Sequence, residues 1–135
     1  MPKTDYNLIA IGAGSGGLVS SYIGAAVKAK VALIEKNKMG GDCLNSGCVP
    51  SKAFISSAKA VQMMKKHYLY GLKNVTYEVD FAQVMERVQD IIAKVEPHDS
   101  VERYSSHGVE CHPGEATIRS PHEVEVNGRI LTAKN

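Results

Sequence analysis

The run Tyr6-Asn7-Leu8-Ile9-Ala10-Ile11-Gly12-Ala13-Gly14-Ser15-Gly16-Gly17 decides the fold. Its first half is a short apolar segment ending in glycine, the pattern of a strand buried in a parallel sheet. Its second half opens a helix of small and apolar residues, predicted over Leu18 to Ala29. Gly24, Ala25 and Ala26 allow that helix to lie close on a sheet. Val31-Ala32-Leu33-Ile34 is a second apolar run, closed by Glu35. Strand, helix and strand make one β-α-β unit, and its crossover is expected to be right-handed.

Gly12, Gly14 and Gly17 stand at the G-x-G-x-x-G positions between strand and helix. The first allows a tight turn, the second a close approach of phosphate to backbone, the third close packing of helix on strand. A pyrophosphate would lie at the positive end of the helix. Glu35 ends the next strand, where a carboxylate accepts hydrogen bonds from a ribose. A glycine-rich turn with only a packing role is the competing reading. Strand, glycines, helix, strand and acid in register favour a dinucleotide. The motif does not separate FAD from NAD, and Glu35 argues only against a 2′-phosphate.

Further along, Gly40-Gly41-Asp42-Cys43-Leu44-Asn45-Ser46-Gly47-Cys48-Val49-Pro50-Ser51-Lys52 places two cysteines five positions apart. In a regular helix that separation spans about 7.5 Å along the axis, with the side chains on different faces. A disulfide wants Cα atoms within roughly 7 Å, so pairing requires a bend, which Gly47 can supply. Such a small, strained loop would be easily reduced. Pro50 suits the first position of a helix running to about Lys66. Cys48 then lies at a helix N-terminus near the cation Lys52, an environment that stabilises a thiolate. A zinc site usually needs four ligands at tighter spacing. Redox, metal-binding and inert readings stand level on spacing alone.

Beyond this loop, Asp80 can cap a helix whose Phe81, Val84, Met85, Val88, Ile91, Ile92 and Val95 repeat at helical spacing. Pro97 should kink or restart it before about Ser106. Val109-Glu110-Cys111 reads as a third strand. Ala116 to Ile118, Glu123 to Val126 and Arg129 to Thr132 read as short alternating strands, with a hairpin at Asn127-Gly128. The fold class is therefore α/β: a partial Rossmann-like parallel sheet with helices, plus a small antiparallel β-meander. A doubly wound sheet needs more parallel strands, so further chain is expected beyond Asn135.

The chain has 135 residues, enough for one domain but not two. With 44% hydrophobic and 22% charged residues, disorder is not expected. A net charge of +2, from scattered basic residues, argues against a nucleic-acid partner. No apolar run approaches the roughly 20 residues that cross a bilayer. The polar start lacks the order of a secretory signal, so a cytoplasmic location is expected. Three cysteines, an odd number, do not suit a secreted disulfide scaffold. Cys111 reads as a small core residue, and Met63 and Met64 as core fillers. His67, His98, His107, His112 and His122 read as solvated surface groups at helix ends and in loops.

The segment Gly40-Gly41-x-Cys43-Leu44-Asn45-x-Gly47-Cys48-Val49-Pro50-Ser51-Lys52, at its distance from Gly12 to Gly17 and Glu35, carries a specific resemblance. The chain resembles the class I pyridine nucleotide-disulfide oxidoreductases, the flavoprotein family of dihydrolipoyl dehydrogenase, glutathione reductase and mercuric reductase. The resemblance covers all 135 residues, as the amino-terminal part of an FAD-binding domain. Its NAD(P)H-binding and dimerisation domains would lie outside this sequence. The segment after Gly114 looks most like the mercuric reductase branch.

The resemblance implies FAD, with its pyrophosphate at Gly12, Ala13, Gly14, Ser15, Gly16 and Gly17. Glu35 and Lys36 would lie at the adenosine ribose, and Gly114, Glu115 and Ala116 at adenine. Gly41, Asp42, Cys43, Cys48 and Lys52 would complete the cofactor site. Cys43 would be the interchange thiol and Cys48 the thiol beside the flavin ring; Lys52 would approach the isoalloxazine. The implied reaction passes electrons from NAD(P)H through FAD to a Cys43–Cys48 pair, then to a small-molecule disulfide or an Hg(II)-type ion. A homodimer is implied for the complete protein, with the present chain inactive alone. One departure is Asp42, where the family carries threonine: a carboxylate there repels the pyrophosphate unless turned away or paired. Two other readings remain: an NAD-binding module without redox thiols, and a thiol metal-binding protein.

Overall fold

The computed structural model describes residues 4–135. Residues 1–3, part of the polar start invoked above, lie outside the described residues. Strands β1 (Leu8–Ile11), β2 (Val31–Glu35) and β3 (Val109–Pro113) form a parallel sheet in the order β1-β2-β3. Ala10 lies opposite Leu33, and Leu33 opposite Cys111. Every residue of β2 from Val31 to Ile34 is buried, as a central strand covered on both faces requires.

Alternation along β2 feeds two cores. Val31 and Leu33 join Ala10, Ala13, Leu18, Tyr104 and Val109. Leu18 comes from helix α1 (Ser15–Ala26), and Tyr104 from helix α5 (Val101–Ser106), so those helices cover one face. Ala32 and Ile34 join Tyr6, Val126, Leu131 and Ala133 on the other face. That face is covered by an antiparallel sheet of β4 (Ala116–Ser120), β5 (Glu123–Val126) and β6 (Arg129–Thr132). The result is a layer of helices, a parallel sheet and a meander. Each large aliphatic side chain sealed in this sandwich contributes about 2 kcal/mol.

The expected elements are present, with shifted ends. The first strand is shorter than Tyr6 to Ile11, because Tyr6 makes only an isolated bridge to Ala133. Helix α1 begins at Ser15 and stops at Ala26, where Lys28 turns left-handed at φ 62°. The loop from Asn37 to Pro50 contains a short helix, α2 (Gly41–Asn45). Helix α3 (Cys48–Lys65) starts two residues before Pro50, which occupies its third position. Asp80 caps α4 (Phe81–Val95) by accepting from Gln83 N at 3.2 Å. Pro97 sits in a 3-10 turn, and Ser100 caps α5 by accepting from Arg103 N. Asn127 and Gly128, at φ 51° and 73°, make the hairpin turn.

Burial on the α3–α4 pair is partial, which corrects the core reading of Met63 and Met64. Of the α4 stripe only Val88 is fully buried, and Phe81 is exposed. Met63 is exposed as well, and with Met64 it lines an apolar hollow rather than the core. The cause is architectural: α3 and α4 pair chiefly with each other, and Phe54, Ile55, Met63, Phe81 and Met85 stay exposed. Arg87 ties the pair, donating to Ala53 O at 3.0 Å.

The open edge of β1 is partly covered by the end of the chain. Tyr6 N donates to Thr132 O, Lys134 N to Tyr6 O, and Ile9 N to Asn135 O. Among the described residues no helix is long and apolar enough to cross a membrane.

Candidate active site

The glycine turn between β1 and α1 has the geometry its sequence predicts. Gly12 turns at φ +95° and donates its N–H to Ile34 O. A Cβ on Gly17 would collide with Gly12 O, so helix and strand meet there with no room for a side chain. A Cβ on Gly14 would meet nothing within 4 Å: this face of the turn is open. Gly14 is also the N-cap of α1, and no side chain caps the helix. Its first-turn N–H groups, from Ser15 to Gly17, have no intrahelical acceptor.

Glu35 lies against the same turn. One carboxylate oxygen accepts from Ala13 N at 2.6 Å, the other from Asn37 N at 2.7 Å. Each oxygen keeps a lone pair for a further donor. A cleft of about 400 Å³ opens beside it, lined by Gly14, Glu35, Lys38, Gly41, Asp42 and Asn45, with Asn37 at its rim. Asn37 and Lys38 were not singled out by sequence reasoning; they come from an irregular segment with no motif of its own, whereas Asn45 was read only as a position of the cysteine signature. The Asp42 carboxylate makes no hydrogen bond or ion pair among the described residues.

At the end of β2 the chain brings Glu35, Lys36, Gly114 and Glu115 together. Gly114 N donates to Glu35 O at 2.9 Å, and Lys36 pairs with Glu115 at 3.3 Å. Ala116 follows as the first residue of β4. A smaller apolar notch of about 160 Å³ adjoins Glu35, walled by Leu33, Met39, Val101, Cys111 and His112. His112 is not the solvated loop residue expected: it lies on β3, half-buried, 3.3 Å from the Tyr6 hydroxyl. Cys111 is half-buried beside the core, and burial pushes its thiol up.

The two cysteines meet as a bent segment requires. Cys43 lies in α2 and Cys48 is the first residue of α3; Gly47 turns the chain between them at φ −116°, ψ −106°. Both are free thiols. The Cys48 thiol and then the Ser15 hydroxyl hold Cys43 below the usual thiol range, with Lys52 adding attraction. Cys48 is pushed up, chiefly because it is the partner donating to Cys43. The sequence pointed to Cys48 as the stabilised thiolate. In the structure the downward shift falls on Cys43.

This segment is built onto the glycine turn. A Cβ on Gly41 would stand 2.7 Å from the Gly14 Cα. Ser15, first residue of α1, reaches Cys43. The cysteine segment and the glycine turn therefore adjoin. Among the described residues no group of three or more His, Cys, Asp or Glu side chains is assembled to hold a metal.

Comparison with known sequences identifies the family. The profile described as pyridine nucleotide-disulphide oxidoreductase matches residues 6–135. The chain belongs to this family. Among its relatives, a dihydrolipoyl dehydrogenase of Acholeplasma laidlawii is 38% identical over 97% of this chain and 39% of its own length. A mercuric reductase of Bacillus cereus is 34% identical over 96% of this chain and 21% of its own. A dihydrolipoyl dehydrogenase of Mycoplasma genitalium is 32% identical over 97% of this chain and 29% of its own. The chain thus spans between about a fifth and two fifths of the length of these curated relatives.

Proposed function

We propose that this chain is the FAD-binding, dithiol-bearing segment of an NAD(P)H-dependent flavoprotein oxidoreductase. The observation that carries this reading is the contact of Gly41 with Gly14, which seats Cys43 and Cys48 on the turn where a dinucleotide phosphate would lie. The open Gly14 face and the uncapped first turn of α1 suit a diphosphate. Glu35, with lone pairs to spare, suits a ribose diol, and the notch beside it suits an adenine ring. When bound, FAD supplies two-electron exchange between a nicotinamide and the thiols.

The chain's own residues perform the thiol chemistry. Cys43, the more acidic thiol, attacks one sulfur of a substrate disulfide and releases the other as a thiolate. Cys48 gives up its proton and attacks the Cys43 sulfur of the mixed disulfide. The second substrate thiolate leaves, and a Cys43–Cys48 disulfide remains. Two electrons pass from the dithiol to the substrate, and two protons accompany them. Ser15 and Lys52 favour the Cys43 thiolate that starts the sequence. A soft cation of the Hg(II) type is an alternative substrate, bound by the two thiolates in place of the disulfide. The NAD(P)H site, the partner subunit of a homodimer and a cytoplasmic setting belong to the complete protein of this reading.

Titration of the full chain with FAD, followed by flavin fluorescence and absorption, tests the cofactor. Thiol counts before and after oxidation test the pair. Two thiols should disappear while Cys111 stays reactive on unfolding. Absence of FAD uptake, or a thiol count that does not change, would overturn the reading. NAD binding with unaltered thiols would favour a plain dinucleotide-binding module.

A further inference from the structure

Asp42 stands where a diphosphate-binding cleft is least expected to carry a negative charge. It is the second residue of α2, exposed, and lines the cleft beside Gly14. The ionisable side chains of that cleft are Glu35, Lys38 and Asp42, two acids against one base. Lys36, the nearest further cation in sequence, is directed at Glu115. The two acids are not equivalent. The Glu35 oxygens are each met by a backbone N–H, from Ala13 and Asn37, which spreads their charge. The Asp42 carboxylate receives no such donor among the described residues. Its neighbour Asn45 turns its amide away, onto Met39 O and Gly41 O.

We propose that Asp42 sets the affinity of this cleft by repelling the diphosphate of a bound dinucleotide, keeping the cofactor weakly and exchangeably held. The proposal rests on the FAD reading above. The attractive side is Lys38 together with the amide donors at the start of α1; Asp42 opposes it from the wall of the same open cleft. A like-charge pair in that setting changes a dissociation constant by about tenfold at low ionic strength, and salt screens it. The same carboxylate sits favourably in the first turn of α2, where the helix end attracts negative charge. Removing the charge should therefore tighten the ligand while slightly lowering the melting temperature of the free chain.

The test is a fluorescence titration of the full chain with FAD, using wild type, Asp42→Asn and Asp42→Ser, each checked for folding by thermal melting. At about 0.02 M salt both variants should bind FAD roughly tenfold more tightly than wild type, and at about 1 M salt less than twofold more tightly. Equal or weaker binding by both folded variants overturns the proposal and leaves the FAD reading standing. Tighter binding that is the same at both salt concentrations also overturns it, since the effect would then be one of loop shape. If neither wild type nor variants bind FAD at about millimolar ligand, a limit corresponding to the weakest specific complexes, both readings fall together.

Discussion

Gly41 stands against Gly14, so closely that a Cβ on the one would lie 2.7 Å from the Cα of the other. Gly41 also has φ +56°, a left-handed conformation that a side chain disfavours. The cysteine segment and the glycine turn are thereby locked backbone to backbone. Gly41→Ala should cost roughly 2–4 kcal/mol by urea denaturation, from strain and collision combined. It should also weaken FAD binding by pushing α2 off the turn. A stability loss below about 0.5 kcal/mol, the range of a neutral surface change, would show that the contact is loose.

Ser15 links the same two motifs through chemistry. Its hydroxyl is the second-largest influence that lowers the Cys43 thiol, after Cys48. Below its pKa a thiol is protonated and unreactive, so a lowered value extends thiolate reactivity to lower pH. Alkylation of the reduced chain should accordingly modify Cys43 first, with a pH midpoint below that of an ordinary thiol. Ser15→Ala should move that midpoint up, and Cys48→Ala, which removes the other side-chain donor, should move it further. Cys48-first labelling would reverse the assignment.

These contacts mark the boundary of what local sequence reveals. The β-α-β unit, the roles of Gly12 and Gly17, the Asp80 cap and the Asn127-Gly128 turn were legible, because each depends on residues within a few positions of one another. The bend between Cys43 and Cys48 was legible from Gly47 and from disulfide geometry. The direction of the thiol asymmetry was not. It depends on Ser15, far back in the chain, and on how the two sulfurs face each other. Lys38 and Asn45 gained significance only when α2 folded against Gly14. How little of α4 is buried was not legible, because periodicity shows an apolar face without showing what covers it. His112 looked like a loop residue because β3 runs two residues beyond the apolar segment that signals it.

Arg87 is the polar tie between α3 and α4. Its guanidinium donates to Ala53 O at 3.0 Å and reaches Ser57 Oγ at 3.5 Å and Ser56 Oγ at 3.4 Å. Ala53 is one residue past Lys52, on the helix that begins with Cys48. Arg87→Ala should cost about 1–2 kcal/mol, the loss of a charge-assisted bond and its packing. Backbone amides of α4 should lose hydrogen-exchange protection more than those of β2. Uniform loss across the chain would mean that the α3–α4 pair does not open on its own.

Tyr6 gives the fold an alkaline limit. Its hydroxyl is pushed up from 10.0 to about 12, first by burial and then by hydrogen bonding to Glu110. Below pH 10 both folded and unfolded chains keep the phenol proton, so the full contribution of the buried neutral ring is present. Between about 10 and 12 the unfolded chain loses the proton while the folded chain keeps it. Deprotonation then favours unfolding, and stability falls by up to about 1.4 kcal/mol per pH unit. Tyr104, also raised by burial, acts with the same sign. Tyr6→Phe should start less stable at pH 8, having lost the contact to His112, yet decline less steeply above pH 10. Urea midpoints of wild type and variant measured across that range should therefore converge. Parallel curves would show that Tyr6 ionises as freely in the fold as in the open chain.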